Sequence, residues 1–158
     1  MNTEHRGKHA AAAAIDLSQL VAAVGDAIVV TDASGAITLW NPAAERMFGF
    51  PAGEALGQSL DLIIPERLRN RHWEGFRQTM LTGQTKYGTE VLRVPAVDKS
   101  GRALSIAFTV ALLHATGGKP AAIVAVIRDE TSRFNEERSL RKRLAELEAQ
   151  LAERSAAS

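Results

Sequence analysis

The stretch from Trp40 to Phe50 decides how this chain is interpreted, and it reads Trp40-Asn41-Pro42-Ala43-Ala44-Glu45-Arg46-Met47-Phe48-Gly49-Phe50. Asn41 suits the position before a helix, because its side-chain oxygen can accept a hydrogen bond from a free backbone N–H, and Pro42 is pre-organised for the first helical position. Gly49 ends the pattern. We therefore predict a short helix with three apolar side chains facing inward, namely Ala44, Met47 and Phe48.

The residues before this stretch predict a helix and a hairpin. Apolar residues with helical spacing run from Ile15 to Val24 and indicate a short amphipathic helix that ends near Gly25. A β-branched run at 27–31 is followed by the turn residues of 32–35, after which a strand resumes at Ile37. We interpret this second segment as two antiparallel strands.

The residues after it predict short helices and then one long helix. A turn of helix is expected within 51–57, and an apolar patch at 60–64 stops at Pro65. From Glu66 to about Leu81 the pattern is that of a longer helix. Its apolar stripe has a spacing of four residues and consists of Leu68, His72, Phe76 and Met80. This spacing predicts that the side chain of His72 faces inward.

Three strand-like runs follow, and they decide the fold class. They span Tyr87 to Val97, Ala103 to Leu113 and Ala121 to Arg128, with turn-rich separators at 98–101 and 116–119. Two strands, several helices and three further strands require one antiparallel sheet covered by helices on one face. The expected fold class is α+β.

The C-terminal segment 132–158 is charged and helix-forming, and it carries an apolar stripe with spacings of four, three and four residues: Leu140, Leu144, Leu147 and Leu151. This spacing is typical of a coiled-coil seam and predicts a homodimer. About two heptads are visible, so the seam is short. The alternative is a helix that folds back on its own domain.

The composition narrows the function. The chain has 158 residues, 46% of them hydrophobic and 23% charged, which suits one globular domain with an appendage. A formal net charge of +1 gives the chain no general electrostatic attraction for nucleic acids. The absence of cysteine excludes disulfides, thiolate metal sites and cysteinyl-flavin chemistry. No apolar run is long enough for a membrane span, and no signal peptide is recognised, so a cytoplasmic protein is expected.

Residues 16–131 resemble the PAS sensory domains, with residues 1–15 as an N-terminal tail and 132–158 as a C-terminal helix and tail. The resemblance rests on the motifs Ile28-Val29-Val30-Thr31-Asp32, Trp40-Asn41-Pro42-Ala43-Ala44-Glu45, Met47-Phe48-Gly49-Phe50, Glu54-Ala55-Leu56-Gly57, Pro65-Glu66, Lys99-Ser100-Gly101 and Arg128-Asp129-Glu130-Thr131. It implies a single domain with a five-stranded sheet in the order 2-1-5-4-3, whose concave face and long helix enclose a pocket.

Within that family, the closest resemblance is to the haem-binding PAS domain of FixL-type oxygen-sensing histidine kinases. This resemblance places His72 at the proximal haem ligand and makes haem b the candidate cofactor, with its iron as the metal that His72 would bind. Two departures argue against oxygen as the signal, because Leu92 and Gln78 stand where that group has arginines. The remaining pocket candidates are Lys86, Tyr87, Phe108 and Val110.

The chemistry of His72 is compatible with two interpretations. A neutral imidazole can bind iron through one ring nitrogen while an acceptor orients the other. A lone histidine on an inward helical face also occurs as a packing residue, in which case the pocket is empty or holds a small organic ligand. No nucleophile motif, phosphate loop or paired catalytic motif is present, so we do not expect an enzyme.

The expected function is a sensor. The last strand lines the pocket and continues through Arg128, Asp129 and Thr131 into the C-terminal helix, so these three residues are the expected signal junction. A partner in trans would supply the output, unless the chain is an input module from a longer protein. Direct binding of nucleic acid or membrane is not expected. The competing hypothesis is a cofactor-free interaction and dimerisation module.

Overall fold

The computed structural model describes residues 13–85 and 89–158. Its elements, in chain order, are α1 Leu17–Ala23, β1 Ala27–Asp32, β2 Ile37–Trp40, α2 Pro42–Phe48, α3 Ala52–Ala55, a 3-10 helix Leu60–Leu62, α4 Glu66–Thr82, β3 Leu92–Val97, β4 Ala103–His114, β5 Pro120–Asp129 and α5 Thr131–Ala156.

The five strands form one antiparallel sheet in the order β2-β1-β5-β4-β3, which confirms the predicted α+β fold and strand order. Residues directly opposite one another in such a sheet share a face. Val29 pairs with Ala125, which in turn pairs with Val110. Because Val29 is buried, this register defines an inner face that the helices cover and an outer face on the other side.

The core lies between the inner face and the short helices. Val29, Ile37, Leu104, Ile106 and Ile127 contribute from the strands. The helical layer contributes Phe48 from α2, Ala55 from α3 and Ile63. Phe48 is completely buried, a burial worth roughly 1.5–3 kcal/mol for a side chain of this kind. The sequence stretch that predicted α2 therefore supplies the centre of the core.

Asn41 joins α1, β1 and α2. Its Oδ1 accepts hydrogen bonds from the backbone N–H groups of Ala44 at 3.0 Å and Ile28 at 2.9 Å. Its Nδ2 donates to the carbonyls of Val21 and Asp26 at 3.0 and 3.1 Å. The predicted helix cap is confirmed, and the same buried side chain also fixes where the first strand enters the sheet.

The predicted start of β3 was wrong. The strand begins at Leu92 rather than at Tyr87, and its first pair in the register is Leu92 with Phe108. Beyond Phe108, β4 continues to His114 and pairs there with β5 alone, and residues 89–91 lie before the strand as a turn and irregular backbone. Lys86 and Tyr87 lie outside the described residues.

Candidate ligand site around His72

Helix α4 carries His72 near its middle. The helix begins after Pro65, which cannot continue a helix backwards, and ends at Gly83 with a φ of 67°. The predicted inward stripe is partly buried at Leu68, His72 and Met80 and buried at Phe76. The structure therefore places His72 on the inward face, as its spacing predicted.

The imidazole of His72 lies among aromatic rings. It meets Trp73 edge to face, with centroids 4.6 Å apart, and lies 6.4 Å from the ring of Phe76. Its Nδ1 is buried and has no hydrogen-bond partner among the described residues. Burial lowers the pKa of His72, and the nearby carboxylate of Asp61 opposes that shift. The ring is consequently neutral near pH 7.

Trp73 fixes this part of α4. Its Nε1 donates to Oδ1 of Asp61 at 2.8 Å, and its ring lies against Gly35 in the β1–β2 turn. Arg69 adds two hydrogen bonds, from Nε to the carbonyl of Ile64 at 3.1 Å and from Nη2 to the carbonyl of Asp61 at 3.2 Å. No sequence pattern indicates these contacts, because Trp73, Asp61 and Arg69 meet only through the fold.

The predicted pocket residues of the sheet lie on its inner face. Leu92 and Phe108 are cross-strand partners, and Val110 pairs with Ala125. All three predicted residues are half-buried, and Phe108 packs against the core. They form an apolar wall. Gln78, by contrast, is exposed on α4.

Thr31 is a second buried polar residue on the inner face. It is 2% exposed, and its Oγ1 has no hydrogen-bond partner in the described part of the chain. Buried hydroxyls without a partner are unusual, since leaving one unpaired costs about 1–3 kcal/mol. Sequence reasoning did not single Thr31 out as a site residue, because threonine is an ordinary strand residue.

The predicted signal junction is held by hydrogen bonds on both sides of the last strand. Arg128 donates from Nε and Nη2 to the carboxylate of Asp26, at 3.1 and 3.0 Å, and this partner raises the pKa of Arg128. Asp129 accepts from the backbone N–H and the hydroxyl of Thr131, and that hydroxyl oxygen accepts from the N–H of Ser105 at 3.0 Å. The start of α5 is therefore attached to β4 as well as to β5.

With this geometry in place, the comparison with known families is decisive. The sequence model of the PAS fold matches residues 15–130. The chain belongs to the PAS fold family. Among solved structures, the PAS domain of a protein from Colwellia psychrerythraea superimposes with a TM-score of 0.64 at 21% identity, over 73% of this chain and 95% of that one. A structure described as an RNA-binding light-oxygen-voltage receptor gives a TM-score of 0.67 at 20% identity, over 82% of this chain and 36% of that one.

Curated relatives of this PAS domain include sensor proteins. Sensor protein FixL of Bradyrhizobium diazoefficiens is 41% identical over 56 residues, which are 35% of this chain and 11% of that protein. Oxygen sensor protein DosP of Escherichia coli is 26% identical over 101 residues, 64% of this chain and 12% of that protein. An uncharacterized protein of Azorhizobium caulinodans is 31% identical over 118 residues, 74% of this chain and 16% of that protein. The chain therefore spans less than a fifth of the relatives it matches.

Beyond the PAS domain, α5 leaves its leucine stripe uncovered. Leu140, Leu144, Leu147 and Leu151 are 70%, 57%, 40% and 63% exposed, and α5 buries no residue. The alternative in which this helix folds back on its own domain was wrong, because its contacts to the domain lie at its first turn, around Thr131. Within 13–85 and 89–158, no helix is long and apolar enough to span a membrane.

Proposed function

We propose that this PAS domain is a non-catalytic sensor module whose pocket state is transmitted through β5 and its junction into α5. The family membership and the similarity to FixL and DosP support a sensory role. The main observation in support of a ligand-binding pocket is the inward, neutral imidazole of His72, whose Nδ1 has no partner among the described residues. A cytoplasmic location stays a prediction from the sequence.

The first ligand we propose is haem b. The donor set fits, because a desolvated neutral imidazole is a suitable ligand for haem iron. The apolar wall of Leu92, Phe108 and Val110 also suits a flat apolar macrocycle. When bound through one protein ligand, the haem iron would supply a coordination position for a diatomic gas. In this proposal His72 holds the iron, and the inner face of the sheet excludes water from it.

Hemin titration of the purified protein tests this proposal. A sharp Soret band that saturates near one hemin per chain is expected, and His72→Ala should abolish or shift it. The matched control is His114→Ala, which removes an exposed histidine at the end of β4 and should leave the spectrum unchanged. A Soret band of unchanged position and affinity in His72→Ala would remove His72 as the ligand.

A small organic ligand is the second candidate, and a specific observation favours it. Thr31 on the sheet and His72 on α4 each carry a buried polar atom without a described partner. A ligand with hydrogen-bonding groups would satisfy atoms of this kind, whereas haem alone accounts only for the histidine. Native mass spectrometry of the purified protein distinguishes the cases: a mass increment other than that of haem supports the organic ligand. No increment, together with no response to hemin, supports the cofactor-free interaction module.

We further propose that the module is a homodimer that pairs through α5 and contacts an output protein in trans. The uncovered leucine stripe supports pairing, because burying it removes apolar surface from water. Replacing Leu144 and Leu147 by glutamate should lower the mass measured by analytical ultracentrifugation while the circular dichroism of the domain is retained. An unchanged dimer would place the interface elsewhere.

Transmission to α5 is tested at the junction. Hydrogen exchange over residues 131–151 should differ with and without bound ligand, because a ligand that favours one of two arrangements shifts their populations. Asp129→Ala removes the acceptor that holds Thr131 and should reduce that difference. Equal protection with and without ligand in the unmodified chain would make α5 a passive appendage.

A further inference from the structure

A groove opens on the surface of the PAS domain between the β1–β2 turn and helix α4. Its volume is about 420 Å³, which lies within the usual range for small-molecule sites in proteins, about 300–1,000 Å³. The side chains and backbone that matter for its chemistry are those of Ser34, Gly35, Ser59, Trp73, Phe76 and Arg77. Of the described residues, His72 and the apolar wall of the sheet do not line it. The groove is therefore separate from the proposed site on the inner face.

The shape of the groove is fixed by contacts on each side. The backbones of Ala36 and Ser59 form a bridge that joins the β1–β2 turn to the start of the 3-10 helix. On the opposite side, Trp73 donates to Asp61 at 2.8 Å, and its ring lies against Gly35. A ligand that enters a groove held in this way orders few groups on binding, so less of its interaction energy is lost.

Two aromatic side chains line the groove together. The rings of Trp73 and Phe76 meet edge to face, with centroids 5.2 Å apart, and both residues belong to the lining. Aromatic rings pack favourably against a further ring in offset or edge-to-face geometry. This part of the groove therefore suits a planar aromatic group.

The charge of the groove is positive. Arg77 lines it, and no acidic side chain of the described residues does. The Arg77 guanidinium makes no ion pair within 13–85 and 89–158, not even with Glu74 three residues earlier on α4. The carboxylates nearby have other partners, because Asp61 accepts from Trp73 and Asp32 accepts within its own turn. A planar guanidinium without a partner suits a carboxylate.

Ser59 supplies a second polar contact. Its Oγ accepts a hydrogen bond from the backbone N–H of Asp61 at 3.2 Å. The hydroxyl proton is not used in that bond, so Ser59 can donate it to an oxygen of a ligand. The hydroxyl of Ser34, by contrast, already donates to Asp32 at 2.7 Å.

From these contacts we propose that the groove is a second ligand site, which binds a small aromatic carboxylate. The ring of the ligand packs against Trp73 and Phe76, and its carboxylate accepts from Arg77 and Ser59. The site does not depend on what occupies the inner pocket. Trp73 also meets His72, with ring centroids 4.6 Å apart, so a ligand in the groove contacts the side chain that packs against His72.

Titration of the full-length chain with benzoate, followed by NMR of the indole N–H groups, tests the site. The chain has two tryptophans, and the Trp73 signal is identified by its loss in Trp73→Phe. Benzoate should shift this signal saturably, with a Kd in the millimolar range that such a small ligand allows. The signal of Trp40 should stay in place, because that indole is buried in the core and donates to the carbonyl of Phe50.

Matched ligands and variants show which groups bind the benzoate. Benzamide keeps the ring without the charge and acetate keeps the charge without the ring, so both should bind more weakly. Arg77→Gln should weaken benzoate binding by about three- to tenfold, the modest effect of an exposed ion pair. Arg71→Gln is the control, since Arg71 is an exposed arginine of α4 that does not line the groove, and it should leave the Kd unchanged.

Three results would overturn the proposal. The first is the absence of a saturable shift of the Trp73 signal at millimolar benzoate. The second is an equal Kd for benzoate and benzamide, which would mean that the groove does not recognise the carboxylate. The third is an equal Kd in Arg77→Gln and in the unmodified chain, which would place the benzoate elsewhere. None of these results bears on hemin binding at His72, which is measured separately.

Discussion

The same tight turn occurs twice in the chain, and the two turns differ in how the rest of the molecule packs against them. The β1–β2 turn contains Asp32-Ala33-Ser34-Gly35, and the β3–β4 turn contains Asp98-Lys99-Ser100-Gly101. In each, Oδ1 of the aspartate accepts from the serine N–H, at 2.9 and 3.0 Å, and from the serine hydroxyl, at 2.7 Å in both. Each glycine has a positive φ, 88° and 84°. The local sequence alone accounts for this geometry.

The difference between the turns lies in what covers them. The ring of Trp73 lies on Gly35, so that a Cβ at Gly35 would be 2.5 Å from its Cζ3 atom, while nothing lies within 4 Å of a Cβ at Gly101. The first turn is therefore also a surface on which α4, the helix that carries His72, packs. A turn motif specifies its own backbone, but it does not indicate whether another element packs against it.

The largest effect that this comparison predicts is for Gly35→Ala against Gly101→Ala. Both place a Cβ where φ is positive, which costs about 1 kcal/mol. Only Gly35→Ala also forces Trp73 to move, and we expect a total loss of roughly 2–4 kcal/mol in the free energy of unfolding. Urea denaturation of both variants measures the difference.

A double variant identifies the cause of that difference. Trp73→Leu removes the ring atoms that a Cβ at Gly35 would meet, so Gly35→Ala should cost less in this background than in the unmodified chain. If the two glycine variants lose equal stability, the contact with Trp73 contributes nothing and the two turns are equivalent.

The fold was predictable from sequence because its signals are local. The Asn41 cap, Pro42, the Asp-x-Ser-Gly turns and the alternation of the strands each act within a few residues, and they combine into one antiparallel sheet. The edge strand was predicted less well. It begins at Leu92 although β4 has an unpaired edge from Thr109 to His114, so the point where pairing starts is a property of the sheet rather than of the strand's own pattern.

The site was predictable only in part, for the same reason. Helical spacing was enough to place His72 on the inward face, and the resemblance to PAS domains pointed to Phe108 and Val110, which lie on the inner face of the sheet. The attachment of Trp73 to Asp61 and Gly35, and the unpartnered hydroxyl of Thr31, depend on residues far apart in the sequence. No periodicity or motif reports contacts of that kind.

A smaller effect is expected at the hydrogen bond that holds Trp73 in place. Trp73→Phe keeps an aromatic ring but removes the donor to Asp61, and Asp61→Ala removes the acceptor. Each change should lower stability, and the coupling between them should be about 0.5–1.5 kcal/mol, as for a hydrogen bond of this kind. A double-mutant cycle in urea measures it. Additive losses would mean that Trp73 is held by ring packing alone, and the β1–β2 turn would then be its main contact.

The smallest effect should be the same at both turns, and it concerns acid. The hydroxyls of Ser34 and Ser100 are the main groups that hold the pKa of Asp32 and of Asp98 below the ordinary value of 3.8. The two carboxyl groups therefore bind a proton less readily in the folded chain than in the unfolded chain. The contribution of the two carboxylates to the free energy of unfolding is complete above pH 3.8, and it is lost as the pH falls through their lowered pKa. Asp32→Asn and Asp98→Asn should each flatten the fall in the urea midpoint below about pH 4, to a similar extent. A flattening confined to Asp32→Asn would show that the cover provided by Trp73 reaches the hydrogen bonds of its turn, and the two turns would then differ in their local chemistry as well as in their packing.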